Sequence, residues 1–189
     1  MNKIELIKAE RDGLEIKSDL QRFAEEGWES ISEDDIQRLK WYGLFLRNPT
    51  PGYFMLRVRI PNGFSFSHQV RVLSWIAETY GNGVIDITTR QQGQLRHLKV
   101  ENIPKILNLL EDVGLTTSQT GMDNVRNIMG CPVSGLSPKE KVDAYSLVKM
   151  LNEHIVGNPV FSNLPKKLNI TVSGCPDDCV HAETQDLAL

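Results

Sequence analysis

The chain has little cysteine, three in 189 residues. That is too few for a disulfide scaffold, and the odd count suits a reducing compartment, so the cytoplasm is the expected location. No run approaches the about 20 apolar residues that a membrane-spanning helix requires. The opening residues Met1, Asn2, Lys3, Ile4 and Glu5 are charged from the start, which argues against an apolar secretory leader. Neither charge dominates. Lys and Arg total 21 against 24 Asp and Glu, a net charge of −3, which speaks against a nucleic-acid module held by charge. What is present is a hydrophobic content of 40%, enough for a packed core.

The run Asn48, Pro49, Thr50, Pro51, Gly52 is the clearest candidate boundary. Residues 1–50 read as a helical segment, with Ser32 as a cap and Glu33, Asp34 and Asp35 in the first turn that follows. Residues 51–118 read as strand 54–60, helix 67–80, strands 84–88 and 94–100, and helix 103–113. The helix over 67–80 places Val70, Leu73, Ala77 and Tyr80 on one face. The order β-α-β-β-α is the ferredoxin-like plan. From 119 onward the chain is first Gly- and Asn-rich. Ser137, Pro138, Lys139 and Glu140 then read as a capping box opening a helix to about Val156, and a strand is expected over 167–173. No closing element is in view. One helix and one or two strands cannot bury both faces of a sheet. The expected class is α+β: a ferredoxin-like half-domain followed by a truncated second α+β domain over 119–189.

Cations fall on alternating positions of these strands. Arg57 and Arg59 project from one face of 54–60, opposite Phe54, Leu56, Val58 and Ile60. Gln94 and Arg96 share a face, as do Lys167, Asn169, Thr171 and Ser173. Thr88 and Arg90 lie in an irregular segment, as does Arg126, and Lys166 precedes Lys167. Singly, each is an ordinary solvated residue. Together they lie among Thr, Asn and Gln, with only Asp86 and Asp123 nearby. That pattern suits a ligand with many carboxylates or phosphates, which guanidinium forks grip in bidentate pairs.

Four segments then appear in order: Met55 to Gly63 (MLRVRIPNG), Thr88 to Gln91 (TTRQ), Met122 to Asn127 (MDNVRN) and Leu164 to Asn169 (LPKKLN). Together they resemble the assimilatory nitrite and sulfite reductases that use sirohaem and a [4Fe–4S] cluster. Residues 41–52, with Arg47, also resemble the ferredoxin-dependent nitrite reductases of cyanobacterial type. The resemblance covers nearly the whole chain. It implies the N-terminal half of an enzyme that takes electrons from ferredoxin and reduces nitrite to ammonia. Such a half would be inactive alone, with the remainder missing or on a separate chain. The resemblance matches Arg57, Arg126 and Lys167 to the family's anion site, with Asn169 two residues on. It matches Thr88, Arg90, Gln94 and Arg96 to contacts with the carboxylates of sirohaem, and Arg59 and Lys166 join that cationic set. The sulfite branch usually carries Lys-x-Lys where this chain has Lys167-x-Asn169, so the pattern points to the less charged anion, nitrite. Sulfite reduction and non-catalytic sirohaem binding remain the alternatives.

Cys175 and Cys179 have the spacing of half a cluster motif. A [4Fe–4S] centre takes four thiolates. The family's ligand pairs belong to its second half, so the resemblance implies that the cluster ligands lie outside these residues. Cys175 and Cys179 then read as structural thiols, and no metal site is expected. Zinc at Cys175, Cys179 and His181 lacks an evident fourth ligand.

Overall fold

Alternating Phe54, Leu56 and Val58, all buried, build the central strand of the first sheet. In the computed structural model, which describes residues 2–189, this strand is β2 (Tyr53–Val58). β1 (Leu44–Leu46) and β4 (Gly93–Lys99) flank it, and β3 (Ile85–Ile87) pairs with the far side of β4. All pairs are antiparallel. The β2–β4 register slips between Phe54 and Leu56, and His97 takes φ 59° opposite the slip, which is a bulge.

Two amphipathic helices cover the sheet, α4 (Ser67–Tyr80) and α5 (Ile103–Glu111). α4 has the expected bounds but a shifted face. Leu73, Ile76 and Ala77 are buried, while Val70 is half exposed. The N-terminal helices α1 (Lys3–Glu10), α2 (Leu20–Glu26) and α3 (Glu33–Arg38) precede the sheet. Ser32 caps α3 as expected, accepting from the Asp35 N–H at 3.1 Å.

Ile16, Leu20, Phe23 and Leu39 share one core with Phe54, Leu56, Leu95 and Leu98. The N-terminal segment is therefore packed into the sheet unit. Residues 48–52 turn the chain between β1 and β2, with the Arg47 N–H donating to the Tyr53 carbonyl at 3.1 Å. Proline and glycine serve a hairpin turn and a linker equally well, so the residues alone do not separate the two.

A second, parallel sheet follows, β5 (Met129–Gly130), β6 (Ile170–Val172) and β7 (Leu187–Ala188). β7, two exposed residues paired with β6, is the edge strand of that sheet. α6 (Ala144–Ile155) packs on this sheet through Ala144, Val148 and Ile155. It starts later than the Ser137 box implies. Asp143 is the true cap, accepting from the Ser146 N–H at 3.0 Å. Glu140 is occupied instead by the Ser134 hydroxyl at 2.7 Å and the Gly135 N–H at 2.6 Å. Among the described residues no helix is long and apolar enough to cross a membrane.

Candidate functional site

Four cations from four segments line one cleft of about 470 Å³. Arg57 comes from β2, Arg90 from the β3–β4 turn, Arg126 from the segment before β5, and Lys167 from the segment before β6. Phe45, Thr88, Gln92 and Gln94 complete the wall. A neighbouring cleft of about 430 Å³ shares Thr89 and Arg90 with it and continues past Asn169 to Cys179 and His181.

Local hydrogen bonds account for each placement. The Thr88 hydroxyl accepts from the Gln92 N–H at 3.1 Å, and Gln91 takes φ 56°, so the β3–β4 turn curls tightly. The Asn127 amide then donates to the Arg90 carbonyl at 2.8 Å and the Ile60 carbonyl at 2.9 Å, tying that turn to the end of β2. Gln91 exchanges both bonds of its side-chain amide with the backbone of Gly130, at 2.9 and 3.1 Å. Val125 and Leu168 form a parallel bridge, with the Arg126 N–H donating to the Leu168 carbonyl at 2.9 Å. That bridge sets Arg126 alongside Lys167.

The charge in the cleft is uncompensated. Among the described residues, Arg57, Arg90, Arg126 and Lys167 make no ion pair. The two acids near them in sequence are engaged elsewhere. Asp123 pairs with Lys8 at 3.2 Å, and Asp86 pairs with Arg96. Burial, then Arg57 and Arg90, pull the Arg126 guanidinium down to about 10 against the weaker opposing field of Asp123. Burial and then Arg90 lower Arg57 as well. The Nε atoms of Arg57 and Arg126, the Gln92 Nε2 and the Asn169 Oδ1 are buried with no partner among the described residues. Like charges held together with unused donors are unfavourable unless an anion completes them. The donor set suits several carboxylates together with a small oxyanion.

Of the expected site residues, Arg57, Thr88, Arg90, Gln94, Arg126 and Lys167 are brought together. Asn169 lies in the adjoining cleft. Three others are not. Arg59 lines neither cleft and lies inside the fold. β2 ends at Val58, Arg59 forms a bridge with Thr116, and the residue is 1% exposed, its guanidinium bonded to carbonyls of 118–126. Arg96 lines neither cleft and is held by Asp86. Lys166 is exposed to solvent and lines neither cleft. Cys131 and Cys175 are buried neighbours, and burial and Cys175 push the Cys131 thiol up, while Cys179 is exposed. Among the described residues no group of three His, Cys, Asp or Glu side chains is placed to hold a metal ion. The residues present therefore do not fit an iron–sulfur cluster, whereas the cationic cleft does fit a polycarboxylate. Phe45, Gln91, Gln92 and Asn127 are site residues that the strand pattern missed. Gln91 directly follows Arg90 and Asn127 directly follows Arg126, and that adjacency was the available signal.

Comparison with known proteins gives two family matches. Residues 47–113 match the nitrite/sulfite reductase ferredoxin-like half domain, and residues 121–189 match the nitrite and sulphite reductase 4Fe-4S domain. The ferredoxin–nitrite reductase of Leptolyngbya laminosa is 50% identical over all of this chain, which covers 38% of that protein. The chloroplastic ferredoxin–nitrite reductase of Arabidopsis thaliana is 40% identical, again over all of this chain and 34% of its own length. Among solved structures, the NirA protein of Mycobacterium tuberculosis superposes with a TM-score of 0.92 at 30% identity, over 99% of this chain and 37% of that one. The chain thus spans little more than a third of the length of these relatives.

Proposed function

The chain belongs to the nitrite and sulphite reductase family, and we propose that it supplies the anion-holding part of an assimilatory ferredoxin-dependent nitrite reductase. The convergence of Arg57, Arg90, Arg126 and Lys167 in one cleft without a balancing carboxylate carries this reading. Sirohaem, when bound, would supply the iron centre at which nitrite is reduced to ammonia. Arg90, Thr88 and Gln94, which line the cleft along the β3–β4 turn and β4, would hold its carboxylates. Arg57, Arg126 and Lys167 would hold the oxygens of nitrite, and the low-dielectric surroundings of a half-buried cleft would strengthen each of those bonds.

Asn169, a neutral group where the sulfite branch carries a second lysine, supports nitrite over sulfite. The cluster and the contact with ferredoxin would come from residues other than these, and these residues alone are expected to give no turnover. Three free thiols support a cytoplasmic location.

Expression of the chain with a supply of sirohaem tests the reading. The purified chain is expected to carry the absorption of the bound tetrapyrrole, and an Arg57→Ala/Arg126→Ala variant of the same fold is expected to carry little. A folded wild-type chain that emerges colourless would overturn it.

A further inference from the structure

Arg59 has five N–H donors, and each meets a neutral oxygen. Nε donates to the Ser118 carbonyl at 3.3 Å. Nη1 donates to the Arg126 carbonyl at 3.0 Å and the Asn152 Oδ1 at 3.3 Å. Nη2 donates to the Gln119 carbonyl at 3.0 Å and the Val125 carbonyl at 2.8 Å. No carboxylate pairs with it among the described residues. A buried guanidinium without a counter-ion is costly compared with an apolar side chain of the same size. What it supplies is geometry. A planar, rigid fork fixes five oxygens from three segments relative to one another.

Those segments frame Arg126. Two of the acceptors are the carbonyls of Arg126 and Val125, so the backbone from which Arg126 springs is held. Two more belong to Ser118 and Gln119, and the next carbonyl, that of Thr120, accepts from the Arg126 Nη1 at 2.7 Å. The fifth, Asn152, ties the set to α6. Arg126 faces two like charges, Arg57 and Arg90, which push it toward water. A loop free to move would release it. We infer that Arg59 is a positioning residue that holds the Arg126 guanidinium in the cationic cleft by pinning both the backbone of Arg126 and the strand of carbonyls on which its side chain rests. The inference rests on the proposed reading of that cleft as the tetrapyrrole and nitrite site.

A double-mutant cycle on the full chain tests it, with uroporphyrin III, a tetrapyrrole bearing eight carboxylates, as the probe and its absorption shift as the readout. Arg126→Ala is expected to weaken binding about tenfold, and Arg59→Lys about as much, as for residues that act as one unit. The double variant is expected to bind no worse than Arg126→Ala alone. Unchanged affinity in Arg59→Lys, or losses that simply add, overturns the inference. Should Arg59→Lys fail to fold by circular dichroism, Asn152→Ala takes its place in the same cycle. It removes one of the five acceptors and is expected to cost about threefold only when Arg126 is present. A ligand-free readout separates this inference from the functional reading. The Arg126 Nε–H NMR signal is expected to be sharp in the wild type and exchange-broadened in Arg59→Lys. An Arg126 signal that stays sharp in Arg59→Lys overturns the inference whatever the probe does. A broadened signal in a chain whose wild type never binds the porphyrin overturns the functional reading alone.

Discussion

The guanidinium of Arg57 lies over the ring of Phe45, 4.5 Å from its centroid. An aromatic face attracts a cation without cancelling its charge, so Arg57 is steadied in the cleft and still available to an anion. A carboxylate partner would have steadied it as well but would have neutralised it. Phe45→Leu keeps the apolar volume and removes the quadrupole. It is expected to leave the thermal midpoint within a few degrees and to weaken uroporphyrin binding about two- to fivefold, the size of one exposed cation–π contact. Full affinity in Phe45→Leu would show that Arg57 is held by something else.

Crowding Arg57, Arg90 and Arg126 stores repulsion in the ligand-free chain. Arg57→Met removes one of the three charges and keeps an unbranched apolar stem. The variant is expected to melt about 2–4 °C higher than wild type at low salt, which is the shift about 1 kcal/mol gives at this chain length. The gain should shrink as salt screens the repulsion. The same variant should bind the polycarboxylate more weakly. A lower melting point at low salt would mean that the cations are already neutralised within the chain.

The depressed value of Arg126, about 10 and well below the ordinary guanidinium range, sets a pH window with a definite sign. A base lowered in the folded state is penalised in its charged form, and that penalty is full below about pH 10. Above about pH 10 the unfolded chain keeps a proton that the folded chain has released, so this group's contribution to stability rises with pH. Anion binding runs the other way: it needs the cation and falls as pH rises through about 10. The difference between wild type and Arg126→Met isolates the effect. Uroporphyrin affinity of the wild type should drop across that window, and that of Arg126→Met should change less. Parallel curves would remove Arg126 from the binding step.

The sequence shows the cations readily and their roles less so. Strand alternation places Arg57 and Arg59 as twins, yet one faces the cleft and the other is sealed beneath 118–126. The difference arises because β2 ends between them, at Val58, and a strand's end is set by its partners rather than by its own residues. Amphipathic helices are legible for the opposite reason. The bounds of α4 follow from its own apolar spacing. The turn at 48–52 is legible as a turn, but whether it joins two strands or two domains depends on the pairing of Leu44 with Leu56, residues that lie on opposite sides of it. The four cations of the cleft come from four segments that such non-local pairings bring together. Its charge could be anticipated, and adjacency to Arg90 and Arg126 marked Gln91 and Asn127, but the bonds those amides make could not be read, because a Gln or Asn in a loop has many possible partners.

The start of α6 gives a last test, because two candidate caps compete in one stretch. Ser137 followed by Glu140 has the pattern of a capping box, yet Glu140 is drawn back to Ser134 and Gly135, and the chain stays irregular until Asp143. Asp143 accepts from the N–H and the hydroxyl of Ser146, and those bonds hold its carboxyl below the usual range. Asp143→Ala is therefore expected to lower the melting midpoint by about 2–4 °C, the usual cost of a lost cap at this chain length, while Ser137→Ala changes it little. The sign with pH follows. A carboxylate lowered in the folded state stabilises above its ordinary value of 3.8, and that contribution is lost as pH falls through the lower folded value. The gap between wild type and Asp143→Ala should thus be full at neutral pH and close in acid. A larger loss in Ser137→Ala than in Asp143→Ala would return the helix start to the earlier position.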